Sequence, residues 1–455
     1  MMDPAARASN RPRRSGGGDQ PGLPARLAAV ALLIDVLEHR EPLDAALSRQ
    51  TARGALPGLP PRDRALARAI VGTALRRKGQ IDALLGHFLE RPLPKTAGPL
   101  RHILSAALAQ ILFMQMPPHA VVNLAVEQCR ANRGSLRFDK LVNAVSRRAA
   151  REGAALIAGQ DAARLNTPDW LWQRWTAAYG EAATRRIAEI HLAEPALDLS
   201  VKSNALQWAD RLGGIALPTG SVRLRPKGRI ESLQGFSEGE WWVQDAGAAL
   251  PVRLLGDVAG KRVADLCAAP GGKTAQLAAS GADVVAVDVS KGRLRRLDEN
   301  LQRLKLTAQL VEADAANWKP AEPFDAVLLD VPCLATGTIR RHPDIPHLKR
   351  ETELGPLTEL QAALLANARN LVKPSGLLIY CTCSLEPEEG EQQIAKLLEL
   401  DSAIRVEPVV PGNLTGEAAW VTDKGFLRTL PFQCDTGDPL MAGIDGFFAA
   451  KLRIA

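Results

Sequence analysis

Apolar residues recur three and four positions apart through most of the first third of the chain. "ARLAAVALLIDVLEH" (Ala25–His39) carries the pattern, and "PPRDRALARAIVGTALRRKGQIDALLGHFL" repeats it after a Pro-Pro start. "PLRHILSAALAQILFMQ", "PHAVVNLAVEQCRAN" and "RFDKLVNAVSRRAARE" continue it, punctuated by proline and glycine. That spacing predicts an all-helical bundle over residues 23–155. The tandem basic residues Arg76-Arg77-Lys78 and Arg147-Arg148 stand beside its apolar stripes, which turns a positive face to solvent.

The pattern changes at "LNTPDWLWQRWTAAYG", where Trp170, Trp172 and Trp175 open another helix. "ALDLSVKSN" and "SVRLRP" then alternate as strands around the helix "ALQWADRL", giving a small α+β linker module over residues 156–240. Its tryptophans suit RNA stacking, but at helical spacing core packing is the expectation. From 241 to the end, strands and helices interleave. "KRVADLC", "DVVAVDV", "AQLVEAD", "FDAVLLDV" and "GLLIYCTC" predict a doubly wound, mostly parallel sheet, and "GFFAAKLR" adds a late strand. Such sheets carry their chemistry at the strand C-termini.

Charge refines this division. The chain has a net charge of +7. Residues 1–150 hold 23 Lys and Arg against 11 Asp and Glu, whereas the rest is slightly acidic. A polyanion contacted by the first third fits that asymmetry, as does a solvated helical surface. Residues 1–22 are polar and rich in Arg, Gly and Pro, the composition of a disordered basic arm rather than a secretory signal. No apolar run is long enough to cross a bilayer. The six cysteines lack framework spacing, which suits a reducing cytoplasm, and a monomer is expected.

Two strand ends carry a glycine-rich turn and an acid. "DLCAAPGGKTAQLAA" (Asp265–Ala279) follows the first strand and opens a helix. Gly272-Lys273-Thr274 matches the end of a P-loop, but that motif needs glycine where Cys267 stands. The alternative is the first loop of a Rossmann-like methyltransferase that binds S-adenosylmethionine (SAM). Its companion acid is Asp288, seventeen residues after Gly271 and placed for ribose hydroxyls. Asp314 in "LVEADAANW" ends the third strand and can accept from an adenine amine or cap a helix.

Two thiols stand at neighbouring strand ends: Cys333 in "LLDVPCLATGT" and Cys383 in "YCTCS". Cys381-x-Cys383 is too tight for the usual zinc spacing, so no metal is expected. Alternation puts Cys381 and Cys383 on one face, and Cys383 lies nearer the strand exit. Cys129, Cys267, Cys381 and Cys434 read as buried inert thiols. Two thiols, the carboxylate of Asp330 and a methyl donor suit methylation of cytosine carbon 5. That carbon becomes nucleophilic only after a thiolate adds at carbon 6.

"DLCAAPGGKT", "DVPCLATGTIRRHPDI" and "KPSGLLIYCTCSLEPEEGE" together resemble the motifs of the Sun/Nop RNA cytosine-5 methyltransferases. The helical first third resembles the RNA-binding fold of the antitermination factor NusB. The combination implies the branch of that family that methylates one cytosine of small-subunit (16S) ribosomal RNA. By motif, the SAM-binding loop falls on Cys267, Ala268, Ala269, Pro270, Gly271, Gly272 and Lys273, and the cofactor acids on Asp288, Asp314 and Asp330. The resemblance implies Cys383 as nucleophile, Cys333 as the thiol that assists product release, and Cys381 as a bystander. Val331, Leu334 and Ser375 depart from the family's common Ala, Ser and Gly. Leu334 is expected to affect the lining of the target base, and Arg340-Arg341 to grip phosphates beside it. Competing readings are a transfer-RNA methyltransferase, disfavoured by the helical bundle, and a non-catalytic RNA adaptor, disfavoured by the intact Asp330, Cys333 and Cys383.

Overall fold

A computed structural model describes residues 20–94, 96–225, 228–414 and 418–455, so most of the expected basic arm lies outside the described residues. The chain divides after Leu165 into two compact units. The first is helical: Leu23–Leu37, Leu43–Arg53, Pro61–Arg76, Lys78–Phe88, Leu100–Leu108, Pro118–Ala131 and Asp139–Ala158. Proline sits in the first turn of three of these helices, where its missing N–H costs nothing. Leu23–Leu37 is the central helix. Ala25, Ala28, Ala29, Leu32, Leu33 and Val36, three and four apart, are all buried and form its apolar stripe. The last long helix runs past the expected boundary at 155 to Ala158.

The tandem basic residues are less free than expected. Arg77 lies 5.1 Å over the Phe113 ring and donates to Gln80, while Arg148 lies 5.1 Å over Phe88 and pairs with Glu152. Their stems cover aromatic surface, a normal use of long cationic side chains. Arg147 is exposed, as are Arg62, Arg68, Arg101, Arg133, Arg137 and Arg151, so the positive surface is built mainly from scattered arginines.

The second unit begins with the helices Asp169–Tyr179 and Glu181–Ile190, then a four-stranded antiparallel sheet. Its strands are β1 (Leu197–Val201), β2 (Ile215–Ala216), β3 (Val222–Leu224) and β4 (Trp241–Val243), in the order β2-β3-β1-β4. Asn204 caps the helix Ala205–Leu212 through the N–H groups of Leu206 and Gln207. Trp208 on that helix packs with Leu199, Val222 and Trp241. β4 pairs with β1, so this sheet extends past the expected boundary at 240. Trp175 is fully buried among Leu171, Ile187, Ile339 and Leu385, with Trp170 packed against them, and Trp172 lies under Arg185. Packing, not base stacking, occupies Trp175.

The large sheet contains β5 (Arg262–Leu266), β6 (Asp283–Asp288), β7 (Gln309–Glu312), β8 (Phe324–Asp330), β9 (Val372–Thr382), β10 (Ile404–Val406), β11 (Leu427–Thr429) and β12 (Phe447–Ile454). Its order is β10-β12-β9-β8-β5-β6-β7, with β11 beside β12. β5 to β9 run parallel, and β12 is antiparallel to β9. The chain moves outward from β5 to β7, then returns across β5 to β8. That reversal opens a crevice at the C-terminal ends of β5 and β8. Apolar clusters cover both faces, one around Leu329, Leu365 and Ile394 and the other around Leu250, Leu277 and Leu328. The expected strands are all present. Ser375 in β9 takes a left-handed φ of 61°, which explains why glycine suits that position.

A buried ion network joins the small sheet to the large one within this unit. Arg223 pairs with Asp198 at 2.6 and 2.7 Å, and both are buried. Arg340 lies between Asp245 and Asp445, 1% exposed, and Arg341 also pairs with Asp445. The expectation that these arginines grip phosphate is therefore corrected. Arg340 is enclosed, and Arg341, although a third of its side chain is exposed, is already paired with a buried acid. Breaking one partner of such a pair leaves an uncompensated buried charge, so the pairs are structurally committed.

Candidate active site

Past β5 the chain turns sharply. Cys267 takes a φ of 60° and Gly271 one of 101° before the helix Gly272–Ala279 begins. A Cβ on Gly271 would lie 2.6 Å from Leu297 Cγ, so conformation and packing both require glycine. Asp288 ends β6 almost fully buried. One oxygen accepts from the Ala269 N–H at 3.2 Å, and the other from the Ser290 N–H at 2.9 Å and Arg293 at 2.8 Å. It thus ties the β5 loop to the next strand end. Asp314 is exposed, two residues past β7, and accepts from the Ala316 N–H and Asn317 Nδ2. In this structure it shapes its own turn.

The ends of β8 and β9 bring the chemistry together. Cys333 Sγ and Cys383 Sγ are 3.5 Å apart, both thiols free and both half-buried. The Gly337 N–H donates to the Cys383 carbonyl at 2.9 Å, closing the Cys333 loop onto the end of β9. A Cβ on Gly337 would come within 2.0 Å of the Gly446 carbonyl oxygen, so only glycine permits this approach. Asp330 accepts from Lys273 Nζ at 2.8 Å, and Cys381 Sγ lies 3.5 Å from its other oxygen. Cys381 is fully buried and touches the site's carboxylate, more than its reading as a bystander implies. Cys267 is only half-buried by exposed area; burial, with Asp330, pushes its thiol up to about 12. Leu334 is buried, so its side chain packs inward and does not line the crevice.

Electrostatics separate the groups. Burial opposes charge on Lys273, but Asp330 beside it holds the ammonium above the ordinary lysine range. The hydrogen bond with Cys333, followed by burial, pushes the Cys383 thiol well up, while Lys273 works the other way. Lys273, read from sequence as part of the cofactor loop, therefore faces the thiol and carboxylate cluster. A cationic partner for Cys383 was not identifiable from sequence, because the pairing needs the β5 loop and the ends of β8 and β9 to converge.

Comparison with known proteins follows the same lines. Residues 252–453 match the family model described as 16S rRNA methyltransferase RsmB/F, and residues 23–151 match the NusB family. "Ribosomal RNA small subunit methyltransferase B" of Xanthomonas campestris is 37% identical over 450 residues, covering 95% of this chain and 97% of that one. The protein of the same description from Vibrio cholerae is 34% identical, covering 87% and 94%. The chain belongs to the RsmB/F methyltransferase family. It is a SAM-dependent RNA methyltransferase with a NusB-like helical domain. A crystal structure of PH0851 shares the fold, with a TM-score of 0.73, 23% identity, and coverage of 95% and 99% of the two chains. A methyltransferase homologue from Pyrococcus horikoshii has a TM-score of 0.51 at 27% identity, covering 66% and 97%.

The cradle of this RsmB/F-family chain suits SAM by its donor set. Asp288 stands at a strand end, the position that holds ribose hydroxyls in such folds, but here its side chain is enclosed and its oxygens accept from Ala269, Ser290 and Arg293. Asp265 near the end of β5 was not singled out from sequence. It is fully buried; Oδ2 accepts from Thr274 Oγ1 at 2.6 Å, and Oδ1 has no hydrogen-bond partner among the described residues. Burial pushes its carboxyl up to about 7. A cation reaching the unpartnered oxygen, such as the amino group of SAM, would favour its ionised form. An acid five residues before the loop's proline-glycine turn was legible, but its unsatisfied oxygen was not.

Proposed function

We propose that this chain methylates carbon 5 of a cytosine in 16S ribosomal RNA through a covalent adduct on Cys383. The observation that carries the reading is the pair of free thiols 3.5 Å apart beside the Asp330–Lys273 pair. The relatives' descriptions support the RNA substrate. In this reading Cys267 to Lys273, with Asp288, Asp314 and Asp330, line the cofactor site. Bound there, SAM supplies a methyl group on a sulfonium, an electrophile that needs no further activation.

The chain's own groups do the rest. The target cytosine leaves its stack so that both faces of the ring are reachable. The Cys383 thiolate adds at carbon 6, and Asp330 meets the N3 and amine edge of the base. The Lys273 ammonium offsets charge that grows on the ring. Carbon 5 then accepts the methyl group. Cys333, as thiolate, takes the carbon 5 proton; that bond's electron pair returns to the ring, the C5=C6 bond re-forms, and the Cys383 sulfur leaves as thiolate. Cys333 assists this release. Residues 23–155 and 156–240 supply RNA contacts, with the exposed arginines of the helical domain as the phosphate partners.

Bisulfite sequencing of ribosomal RNA from cells with and without the protein tests the reading. One 16S cytosine should be protected only when the protein is present, and an identical pattern in both would reject it. A pH profile gives a second test. Because the Cys383 thiol is held above its ordinary value, its thiolate is scarce near neutrality in the free protein. Below that thiol's pKa, kcat/KM should rise about tenfold per pH unit from about pH 6 to about pH 8. A flat profile would mean that thiolate formation does not limit the reaction.

A further inference from the structure

The acid-rich stretch after Cys383 contains two carboxylates that the reaction above does not use, Glu386 and Glu389, and both are fully buried. Glu389 reaches the loop that carries Cys333. Its two oxygens accept from the Leu334 N–H at 3.1 and 3.3 Å. Gln361, also fully buried, donates from Nε2 to Glu389 at 2.8 Å and to the Pro332 carbonyl at 2.9 Å. The peptide groups on both sides of Cys333 are therefore gripped by one carboxylate–amide pair. Tyr380 Oη donates to the Glu389 carbonyl at 2.6 Å, anchoring the same residue to β9, the strand that leads to Cys383. One residue, through its carboxylate and its main-chain carbonyl, thus ties the two thiol-bearing segments together.

Burying a carboxylate is costly unless its hydrogen bonds are complete, and packing alone would be better served by an apolar residue. What the pair adds is direction: it sets the path of the backbone at Pro332–Leu334. We propose that Glu389 and Gln361 are positioning residues that hold Cys333 against Cys383 for the release step. The proposal rests on the release role assigned to Cys333 above.

The test uses the full-length protein with RNA and SAM, and compares Gln361→Met, Glu389→Gln and Glu389→Ala with wild type and Cys333→Ala. Gln361→Met keeps the volume and removes both donors, Glu389→Gln keeps one acceptor for Leu334, and Glu389→Ala removes it. Covalent protein–RNA adduct is measured on denaturing gels, together with single-turnover methylation, turnover and SAM affinity. Release should slow on the order of 10-fold to 100-fold, the cost of a small misplacement of a reacting group. Methylation should fall far less, so adduct accumulates, more in Glu389→Ala than in Glu389→Gln. SAM affinity serves as the check that each variant is folded. Wild-type adduct levels and turnover in all three variants would overturn the proposal, as would methylation and release falling in equal proportion. If Cys333→Ala itself accumulates no adduct, the release role fails, and the clamp proposal falls with it by a separately visible route.

Discussion

Cys383→Ala is expected to lose methyl transfer by on the order of 10⁴-fold or more, the scale at which removal of a covalent nucleophile acts. The effect is large because carbon 5 of cytosine has no useful nucleophilicity until sulfur adds at carbon 6. No neighbouring group replaces that bond. Cys333 is 3.5 Å away, but its loop is gripped on both sides and directed at the same sulfur. Cys381 is buried against Asp330, and burial together with that carboxylate pushes its thiol well up. SAM affinity should be unchanged, since Asp288 and the Cys267–Lys273 loop belong to other strand ends. Radiolabelled methyl transfer and calorimetric titration with SAM check both halves. Full activity in this variant would move the nucleophile elsewhere, and loss of SAM binding would mean that the substitution disturbed the cradle.

Strand ends were legible from the chain because each is announced locally. A mostly apolar run stops at Leu266, Asp288, Asp330 or Thr382, with an acid as its last residue or a cysteine just past it. The helical domain was legible from its three-and-four spacing. What stayed hidden depends on partners distant in sequence. Arg340 and Arg341 stand beside the Cys333 loop in the chain, which suggested a phosphate grip, yet Asp245 and Asp445 claim them only after β12 folds back. Glu389 is one of several acids in "SLEPEEGE", and only the fold brings Leu334 and Gln361 around it. β2 and β4 are two and three residues long, too short for alternation to signal them, and β4 lies past the boundary expected at 240. Local pattern therefore locates the reacting residues, while the groups that orient them emerge only from the fold.

Cys333→Ala should trap the enzyme on its RNA rather than silence its first step. With Cys383 intact, sulfur can still add at carbon 6 and carbon 5 can still accept its methyl group. The missing function is the one that follows: loss of the carbon 5 proton and expulsion of the Cys383 sulfur. Removing the second thiol also removes the hydrogen bond that most strongly raises the Cys383 thiol, so addition should be no harder than in wild type. A denaturing gel run after incubation with RNA and SAM should show a slower band carrying both protein and RNA, formed in up to one equivalent. Turnover should cease after roughly one methyl group per protein, a single burst with no steady state. The double variant Cys333→Ala, Cys383→Ala should form no such band, because the bond that holds it runs through Cys383. Multiple turnovers without adduct in the single variant would show that the C5=C6 bond re-forms without Cys333. The 3.5 Å approach of the two sulfurs would then reflect packing at the strand ends and no shared chemistry.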